Sequence, residues 1–401
     1  MSDDEGLAPH PYAFLVVDRS EGIPSVIRLY CPIPAAALRE TRIAKGDDEE
    51  LFALLLRIAD TQQVGDLLCS EEHAEFLVSA GFLVSPDAID RVTFPCTLDE
   101  RLLEALPRRV QRTSAELPVA TEVNPSLSVE YPDGAHTGSA SILAELFPAE
   151  RVWLNDPRTG QRIAYGRTPL IDKIIEHRSS NSIDISAPTQ NALLQLAGVL
   201  VHPESAVKTA ARWEMDISNA QASFARDRYA VVRDLLPPLQ VAALRLHYRS
   251  LLAKGFFAFG DSQVERRYWG YQDKIGLFYH RLLTPVACKI AGRALKPSYV
   301  YFASYRPGAV LTRHVDREQC EISISFLVDY SPEPEDTSDW PILVESPSRP
   351  GIAVAIEQGL GDALFYKGCE VYHHRDALPD GRTSTSLFFH YVPEEFTASL
   401  D

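Results

Sequence analysis

The chain has 401 residues, enough for about two or three domains of ordinary size. Hydrophobic residues make up 45% and charged residues 23%, which is a typical balance for a globular protein. The formal net charge of −16 argues against nucleic acid and anionic membrane surfaces as partners, because like charges repel.

The cysteine spacing and the first residues bear on the cellular compartment. The cysteines are scattered, with no Cys-x-x-Cys pair, which is unlike a zinc site or a disulfide framework and predicts free thiols in a reducing cytosol. They are Cys31, Cys69, Cys96, Cys288, Cys320 and Cys369. The start, MSDDEG, lacks the features of a signal peptide, and no run of about 20 apolar residues predicts a transmembrane helix. We therefore expect a soluble, cytoplasmic protein with no membrane partner.

Residues 1–112 have the pattern of a small, mainly helical module. Apolar residues recur at helical spacing over residues 49–59 and predict a helix there. A second helix is predicted over residues 71–79 and ends before Gly81, since glycine commonly follows a helix in a left-handed conformation. Residues 82–84 then predict a short strand.

A similar order of elements returns in residues 165–206. Residues 80–87 align with residues 197–204 as glycine, apolar run, proline and acid, which indicates either a duplicated unit or a chance match. The unit resembles the winged-helix peptide-binding modules that accompany peptide-modifying enzymes, although two small packing domains would show the same pattern. We therefore expect a second module at residues 113–212, with the N-terminal half recruiting a peptide or carrier without forming part of an active site.

Residues 213–401 have a different sequence pattern, with predicted helices first and predicted strands afterwards. Helices are predicted over residues 237–253 and 279–290, and β-branched and aromatic runs then predict strands. The predicted strands cover residues 299–305, 321–330, 351–356, 363–366 and 383–392. This order predicts an α+β protein whose C-terminal domain is a double-stranded β-helix, or jelly roll, with supporting helices.

Two motifs in this domain carry metal-binding residue types. His-Val-Asp occupies residues 314–316, and in a strand its first and third side chains share a face and can reach one metal ion. The motif alone is weak evidence, because surface residues also produce it. Tyr-His-His at residues 372–374 offers a second imidazole, from either His373 or His374. Two histidines and one carboxylate form the facial triad of non-haem Fe(II) oxygenases, although zinc can compete for these ligands.

A third motif, Arg-Thr-Ser, places Arg382 and Ser384 on one face at the start of a strand. A guanidinium group binds a carboxylate through two hydrogen bonds and a hydroxyl can add a third, which suits the distal carboxylate of 2-oxoglutarate. The alternative is a surface arginine beside a turn. Arg306, Arg313 and Arg317 lie near the His-Val-Asp motif and could either receive an acidic substrate or pair with neighbouring glutamates.

Taken together, residues 299–392 resemble the prolyl-4-hydroxylase-like branch of the Fe(II)/2-oxoglutarate-dependent dioxygenases. The matching pieces are Tyr-x-x-Gly before His-Val-Asp, Gly-Asp before the distal histidine, and Arg-x-Ser after it. The resemblance implies that His314, Asp316 and His373 are the catalytic iron ligands. It favours His373 over His374, because the spacing from His373 to the arginine fits the family.

The same resemblance implies roles for residues outside the triad. Arg382 would hold the C5 carboxylate of 2-oxoglutarate, with Ser384 assisting. Tyr305 lies where a tyrosine often hydrogen-bonds the cosubstrate, although a tyrosine of the core would look the same, and His390 is expected to be structural. The cofactors implied are Fe(II), 2-oxoglutarate and O2.

The reaction implied is hydroxylation of an aliphatic C–H bond in an amino acid, a peptide or a natural-product intermediate. The alternative is a peptide- or carrier-binding protein whose jelly roll is not catalytic. An intact triad with a nearby arginine argues against that alternative.

Overall fold

The helices and strands of the computed structural model lie within residues 8–20, 22–32, 38–61, 70–85, 94–114, 122–129, 150–176 and 187–400, the residues that the structure describes. The N-terminal elements are β1 (Ala8–Pro9), β2 (Phe14–Ser20), β3 (Ile23–Cys31), β4 (Arg39–Ala44), α1 (Glu49–Thr61), α2 (Glu71–Ala80) and β5 (Leu83–Val84). The central elements are α3 (Glu100–Glu104), α4 (Arg108–Ser114), β6 (Glu122–Val123), β7 (Arg151–Asn155), β8 (Arg162–Gly166), α5 (Pro169–Glu176), α6 (Pro188–Leu196), β9 (Leu200–Val201) and α7 (Pro203–Asp227).

The C-terminal elements are helices first and mainly strands afterwards. They are β10 (Tyr229–Val232), α8 (Pro238–Ala253), β11 (Ala258–Phe259), β12 (Arg267–Tyr271), α9 (Lys274–Ala291), β13 (Leu295–Tyr305), β14 (Leu311–His314), β15 (Ile322–Ser331), β16 (Ile342–Glu345), β17 (Ala353–Ile356), β18 (Ala363–Tyr366), β19 (Tyr372–Arg375) and β20 (Thr383–Pro393).

Two antiparallel sheets form the C-terminal domain. The larger sheet has the order β10-β18-β15-β20-β13-β12-β11, and the smaller has the order β14-β19-β16-β17. Ile342 and Val344 of the smaller sheet share a buried cluster with Leu364 and Tyr366 of the larger, so the two sheets pack face to face. The mixed α+β architecture predicted from the sequence is confirmed, and the two packed antiparallel sheets agree with the predicted jelly roll.

Helices α8 and α9 cover the outer face of the larger sheet. Leu244 of α8 and Leu283 of α9 lie in one buried cluster with Val300 and Phe326 of the sheet. The helix predicted over residues 279–290 begins earlier, because the carboxylate of Asp273 caps its first turn by accepting the N–H of Gly276 at 3.0 Å. Both predicted supporting helices are therefore confirmed, the second with an extra turn.

The central elements share a core with the jelly roll. Leu102 and Leu194 lie in the same buried cluster as Leu239 and Phe302, whereas the N-terminal sheet and helices α1 and α2 have a cluster of their own. The boundary expected between residues 212 and 213 falls inside α7, a continuous helix of 25 residues. Because α7 is continuous there, no linker separates residues 212 and 213, and the division into modules stays a prediction.

The repeated sequence pattern has a structural counterpart. Gly81 follows α2 with φ of 82° and Gly198 lies after α6 with φ of 71°, and each precedes a two-residue strand. Both short strands pair antiparallel with another two-residue strand earlier in the chain. The likeness to a winged helix remains a prediction.

Two further expectations concern membrane-spanning helices and the state of the cysteines. Of the described helices, none combines the length and apolar character needed to cross a membrane. The cysteines that the structure describes are free: Cys31, Cys96, Cys288, Cys320 and Cys369. Cys69 lies outside the described residues.

Candidate metal centre and its cavity

Two neighbouring strands of the smaller sheet bring the predicted triad together. His314 at the end of β14 pairs directly with His373 in β19, and their ring centroids lie 4.3 Å apart. Asp316 follows β14, and its backbone N–H donates to the carbonyl of Gly368 at 2.8 Å. As a result, His314, Asp316 and His373 each offer a ligand atom, and these atoms all lie within 4.8 Å of one another.

Backbone carbonyls orient both imidazoles. Nδ1 of His314 lies 2.7 Å from the carbonyl oxygen of Thr312, and Nδ1 of His373 lies 3.1 Å from that of Val371. A carbonyl only accepts hydrogen bonds, so each Nδ1 carries the proton and each Nε2 is left with a free lone pair. The Nε2 atoms lie 3.6 and 3.4 Å from Oδ1 of Asp316. Ligands bound at about 2.1 Å and at right angles are roughly 3 Å apart, so this donor set fits a divalent metal such as Fe(II).

Buried polar groups hold the carboxylate of Asp316. Its Oδ2 accepts a hydrogen bond from Oγ of Ser323 at 2.9 Å, and the same Oγ lies 2.9 Å from Nδ1 of His390. Burial lowers the pKa of His390 to about 4, so this imidazole is neutral. Burial alone would raise the pKa of Asp316, but contacts with both triad histidines hold it below its ordinary value. The carboxylate is therefore ionised, as a metal ligand must be.

The triad lies at a cavity of about 810 Å³. Aromatic side chains from β12, β13 and β20 form much of its wall, among them Trp269, Tyr271, Tyr301 and Phe388. Arg317, which follows Asp316 directly, also lines the cavity and lies over the ring of Tyr299, with its guanidinium carbon 4.6 Å from the ring centroid. The cavity therefore combines apolar walls with a few charged groups, as small-molecule sites do.

The N-terminal sheet contributes to the same cavity. Asp18 of β2 and Arg28 of β3 are among its lining residues. Phe14 and Tyr30 pack against Trp269 of β12 with ring centroids 5.5 and 5.1 Å apart, and these aromatic contacts hold the sheet in place. The expectation that residues 1–212 form no part of the active site is therefore corrected for the part of the chain before α1.

The three residues predicted to bind the cosubstrate lie in different surroundings. Tyr305 is buried and lines the cavity, and its hydroxyl accepts a hydrogen bond from Arg267 at 3.4 Å. Ser384 is also buried, and its hydroxyl has no hydrogen-bond partner within the part of the chain that the structure describes. Arg382 is not among the cavity-lining residues and donates two hydrogen bonds to Asp339, at 3.2 and 3.1 Å.

Sequence reasoning missed a buried cation, Arg375. It lies two residues after His373 on the same face of β19 and is 4% exposed. Its guanidinium donates to the backbone carbonyl of Trp340 at 2.6 Å and to Oε1 of Gln358 at 3.3 Å. Burial lowers its pKa to about 10, which leaves it charged at neutral pH. The two-residue period of a strand, already used for the His-Val-Asp motif, was the signal that could have found it.

Gln263 was missed as well, and its side-chain amide nitrogen lies 3.0 Å from Nε2 of His314. No periodic pattern marks it, because it comes from the turn between β11 and β12. His374 is on the opposite face of β19 from His373 and pairs with Leu343 of β16. Its ring atoms are not part of the three-residue cluster of donor atoms.

The other two arginines near the triad lie away from the cavity wall. Arg313 donates two hydrogen bonds to Glu345, at 2.7 and 2.9 Å. This contact agrees with the alternative in which these arginines pair with glutamates and do not receive a substrate. Arg306 lies over the ring of Tyr268, with its guanidinium carbon 4.8 Å from the centroid. Of Arg306, Arg313 and Arg317, the three arginines near the His-Val-Asp motif, Arg317 alone is among the residues that line the cavity.

Comparison with known proteins gives similarity in structure only. No family model and no curated protein matches the chain. The non-heme alpha-ketoglutarate-dependent epimerase SnoN from nogalamycin biosynthesis is 17% identical, with 45% of this chain and 84% of SnoN covered and a TM-score of 0.38. A Pseudomonas putida prolyl-4-hydroxylase is 19% identical, with 44% and 99% covered and a TM-score of 0.37. A Trichoplax adhaerens prolyl hydroxylase is 9% identical, with 46% and 94% covered and a TM-score of 0.38. Each of these three matches covers a little under half of this chain.

Proposed function

We propose that the protein is an Fe(II)/2-oxoglutarate-dependent oxygenase that hydroxylates an aliphatic C–H bond, with O2 as the second cosubstrate. The observation that carries this proposal is the convergence of donor atoms from His314, Asp316 and His373 at the cavity. Both imidazoles present Nε2 toward the carboxylate, and two imidazoles with one carboxylate are the ligand set of this class of enzyme.

The chain supplies orientation and exclusion of water. His314, Asp316 and His373 would hold Fe(II), which together with 2-oxoglutarate supplies O2 activation and C–H oxidation when bound. Ser323 fixes one oxygen of Asp316, so the other oxygen faces the histidines. The ring of Tyr366 packs against His373 with centroids 4.8 Å apart and limits the movement of the imidazole.

The substrate proposed is an amino acid, a peptide segment or a natural-product intermediate. The cavity volume of about 810 Å³ lies within the range of small-molecule sites, which is roughly 300–1,000 Å³. Arg317 on the cavity wall supports a substrate with an acidic group, and the strands that carry Asp18 and Arg28 support recruitment of a peptide or carrier along the N-terminal sheet.

The proposal is tested by incubating the purified full chain with Fe(II), 2-oxoglutarate and air and measuring succinate. We expect slow, Fe(II)-dependent succinate formation even without the native substrate, and none from Asp316→Ala. A wild-type protein that binds neither Fe(II) nor 2-oxoglutarate would contradict the proposal. That result would favour the alternative of a peptide- or carrier-binding protein with a non-catalytic jelly roll.

A further inference from the structure

Arg375 differs from the other deeply buried arginines of the jelly-roll domain. Arg245 and Arg267 are each 5% exposed and form ion pairs, the first with Asp329 at 2.7 Å and the second with Asp261 at 2.7 Å. Arg375 is 4% exposed, and among the described residues no carboxylate lies within ion-pair distance of it. A buried charge without a counter-ion is unfavourable, so this position points to an anion that binds from outside the chain.

Arg375 is not itself among the cavity-lining residues, but two tyrosines near it are. Its guanidinium lies over the ring of Trp340, with the carbon atom 4.4 Å from the centroid, and that ring packs against Tyr305 with centroids 5.1 Å apart. Tyr305 lines the cavity, as does Tyr366, and both interact electrostatically with Arg375. The cation therefore lies behind the part of the cavity wall that Tyr305 and Tyr366 form.

Unpaired hydroxyls on the larger sheet provide an independent observation. Ser325, Ser384 and Ser386 are each at most 1% exposed, and none of their hydroxyl oxygens has a hydrogen-bond partner among the described residues. Ser384 and Ser386 alternate along β20 with Phe388, which lines the cavity, and Ser325 is the register partner of Phe388 on β15. All three hydroxyls therefore point into the interior of the jelly roll, where a polar ligand would satisfy them.

We propose that Arg375, and not Arg382, is the cation that binds the distal carboxylate of 2-oxoglutarate, beside the hydroxyls of Ser325, Ser384 and Ser386. The inference rests on the proposed function and deepens it. Positions two apart in a strand are separated by about 7 Å, a span that the chain of a 2-oxo dicarboxylate bound at the triad could cover. Arg382, in contrast, already has a counter-ion, because it donates two hydrogen bonds to Asp339.

The test compares two ligands that differ only in the distal carboxylate. Binding of 2-oxoglutarate and of 2-oxobutyrate to the anaerobic Fe(II) protein is followed by the charge-transfer absorption of the chelated 2-oxo acid. The wild-type protein should bind 2-oxoglutarate more tightly than 2-oxobutyrate. Arg375→Gln should lower this preference on the order of 30-fold, mainly by lowering the affinity for 2-oxoglutarate. The matched variant Arg382→Gln should keep the preference.

If Arg375 only supported the fold, Arg375→Gln would lower the affinity for both 2-oxo acids alike. The ratio of the two affinities therefore separates a role in ligand binding from a role in folding. If Arg375→Gln does not fold, Arg375→Lys, which keeps the charge, should retain part of the preference, and Arg375→Met should lose it. Retained preference in Arg375→Gln or Arg375→Met, or lost preference in Arg382→Gln, would overturn the inference and leave the proposed function standing. A wild-type protein that binds neither 2-oxo acid would overturn both.

Discussion

Gly368 lies directly against the carboxylate of Asp316. A Cβ atom at Gly368 would be 2.6 Å from Oδ2 of Asp316 and 2.1 Å from the carbonyl oxygen of Cys320. The carbonyl of Gly368 also accepts the backbone N–H of Asp316 at 2.8 Å. The loop between β18 and β19 therefore approaches the metal centre this closely only because residue 368 has no side chain.

We expect Gly368→Ala to weaken Fe(II) binding by about tenfold or more, because the added methyl group must displace the carboxylate or the loop. The measurement is anaerobic Fe(II) titration of the purified variant. Gly46→Ala is the control, since a Cβ there would meet nothing within 4 Å. Unchanged Fe(II) affinity in Gly368→Ala would show that the contact does not position Asp316.

The assignment of His373 as the second histidine ligand predicts that substitutions at the adjacent residues His373 and His374 have different effects on Fe(II) binding. We expect His373→Ala to lose stoichiometric Fe(II), as His314→Ala and Asp316→Ala should, because each removes one of the ligands. His374→Ala should retain Fe(II), since His374 lies on the opposite face of the strand. Metal content after gel filtration decides between them, and loss of iron only in His374→Ala would reverse the assignment.

Ser323 should raise the affinity of the metal centre for Fe(II) without being a ligand itself. Its hydroxyl bridges Asp316 and His390, so we expect Ser323→Ala to lower Fe(II) affinity on the order of tenfold while keeping the fold. Ser325→Ala serves as the control for metal binding, because the hydroxyl of Ser325 lies on the same face of β15 and has no hydrogen-bond partner in the described ranges. Equal Fe(II) affinity in both variants would remove Ser323 from the support of the triad.

Acid should destabilise the fold through a buried histidine remote from the triad. Burial lowers the pKa of His247 from 6.5 to about 3, so the folded state keeps it neutral while the unfolded chain protonates it below pH 6.5. Its contribution to stability is therefore complete above pH 6.5 and is lost progressively as the pH drops toward 3.

The variant His247→Leu lacks this proton uptake on unfolding. We expect its free energy of unfolding to fall less steeply between pH 6.5 and 4.5 than that of the wild type, as measured by urea denaturation at each pH. Parallel pH profiles for the two proteins would mean that His247 is not buried in its neutral form.

A chain that begins near residue 213 tests the shared core. Such a chain cuts α7 and removes Leu102 and Leu194 from the buried cluster of the jelly-roll domain. It also removes Arg109, which donates to the fully buried carboxylate of Asp362 at 3.0 Å. We expect this truncated chain to be unfolded by circular dichroism. A folded product that binds Fe(II) would restore the modular organisation expected from the sequence.

Local patterns account for what could be predicted about the fold. The helix before Gly81 and the helix over residues 238–253 follow from apolar spacing and helix-end signals, which act within a few residues. Strand β16 was not predicted, because it has only four residues and is stabilised mainly by pairing with β17 and β19. The packing of Phe14 on Trp269 joins residues far apart in the chain and leaves no periodic signal.

The same distinction applies to the candidate site. His314 and Asp316 could be placed together because the two-residue period of a strand is local, and the structure brings both beside His373. Arg375 obeys that period too, but its isolation from carboxylates depends on the whole interior of the jelly roll. Arg382 matches a family motif by position, yet Asp339, which binds it, comes from a loop that local patterns do not place.

The most direct test of the central claim is the fate of oxygen atoms in the reaction with ¹⁸O2. Oxidative decarboxylation of 2-oxoglutarate transfers one atom of O2 to succinate, and succinate can be analysed by mass spectrometry without knowing the native substrate. We predict that the Fe(II)-loaded full chain forms succinate carrying one ¹⁸O atom, and that Asp316→Ala forms none. Succinate without the label, or equal labelling from Asp316→Ala, would contradict an oxygenase centred on His314, Asp316 and His373.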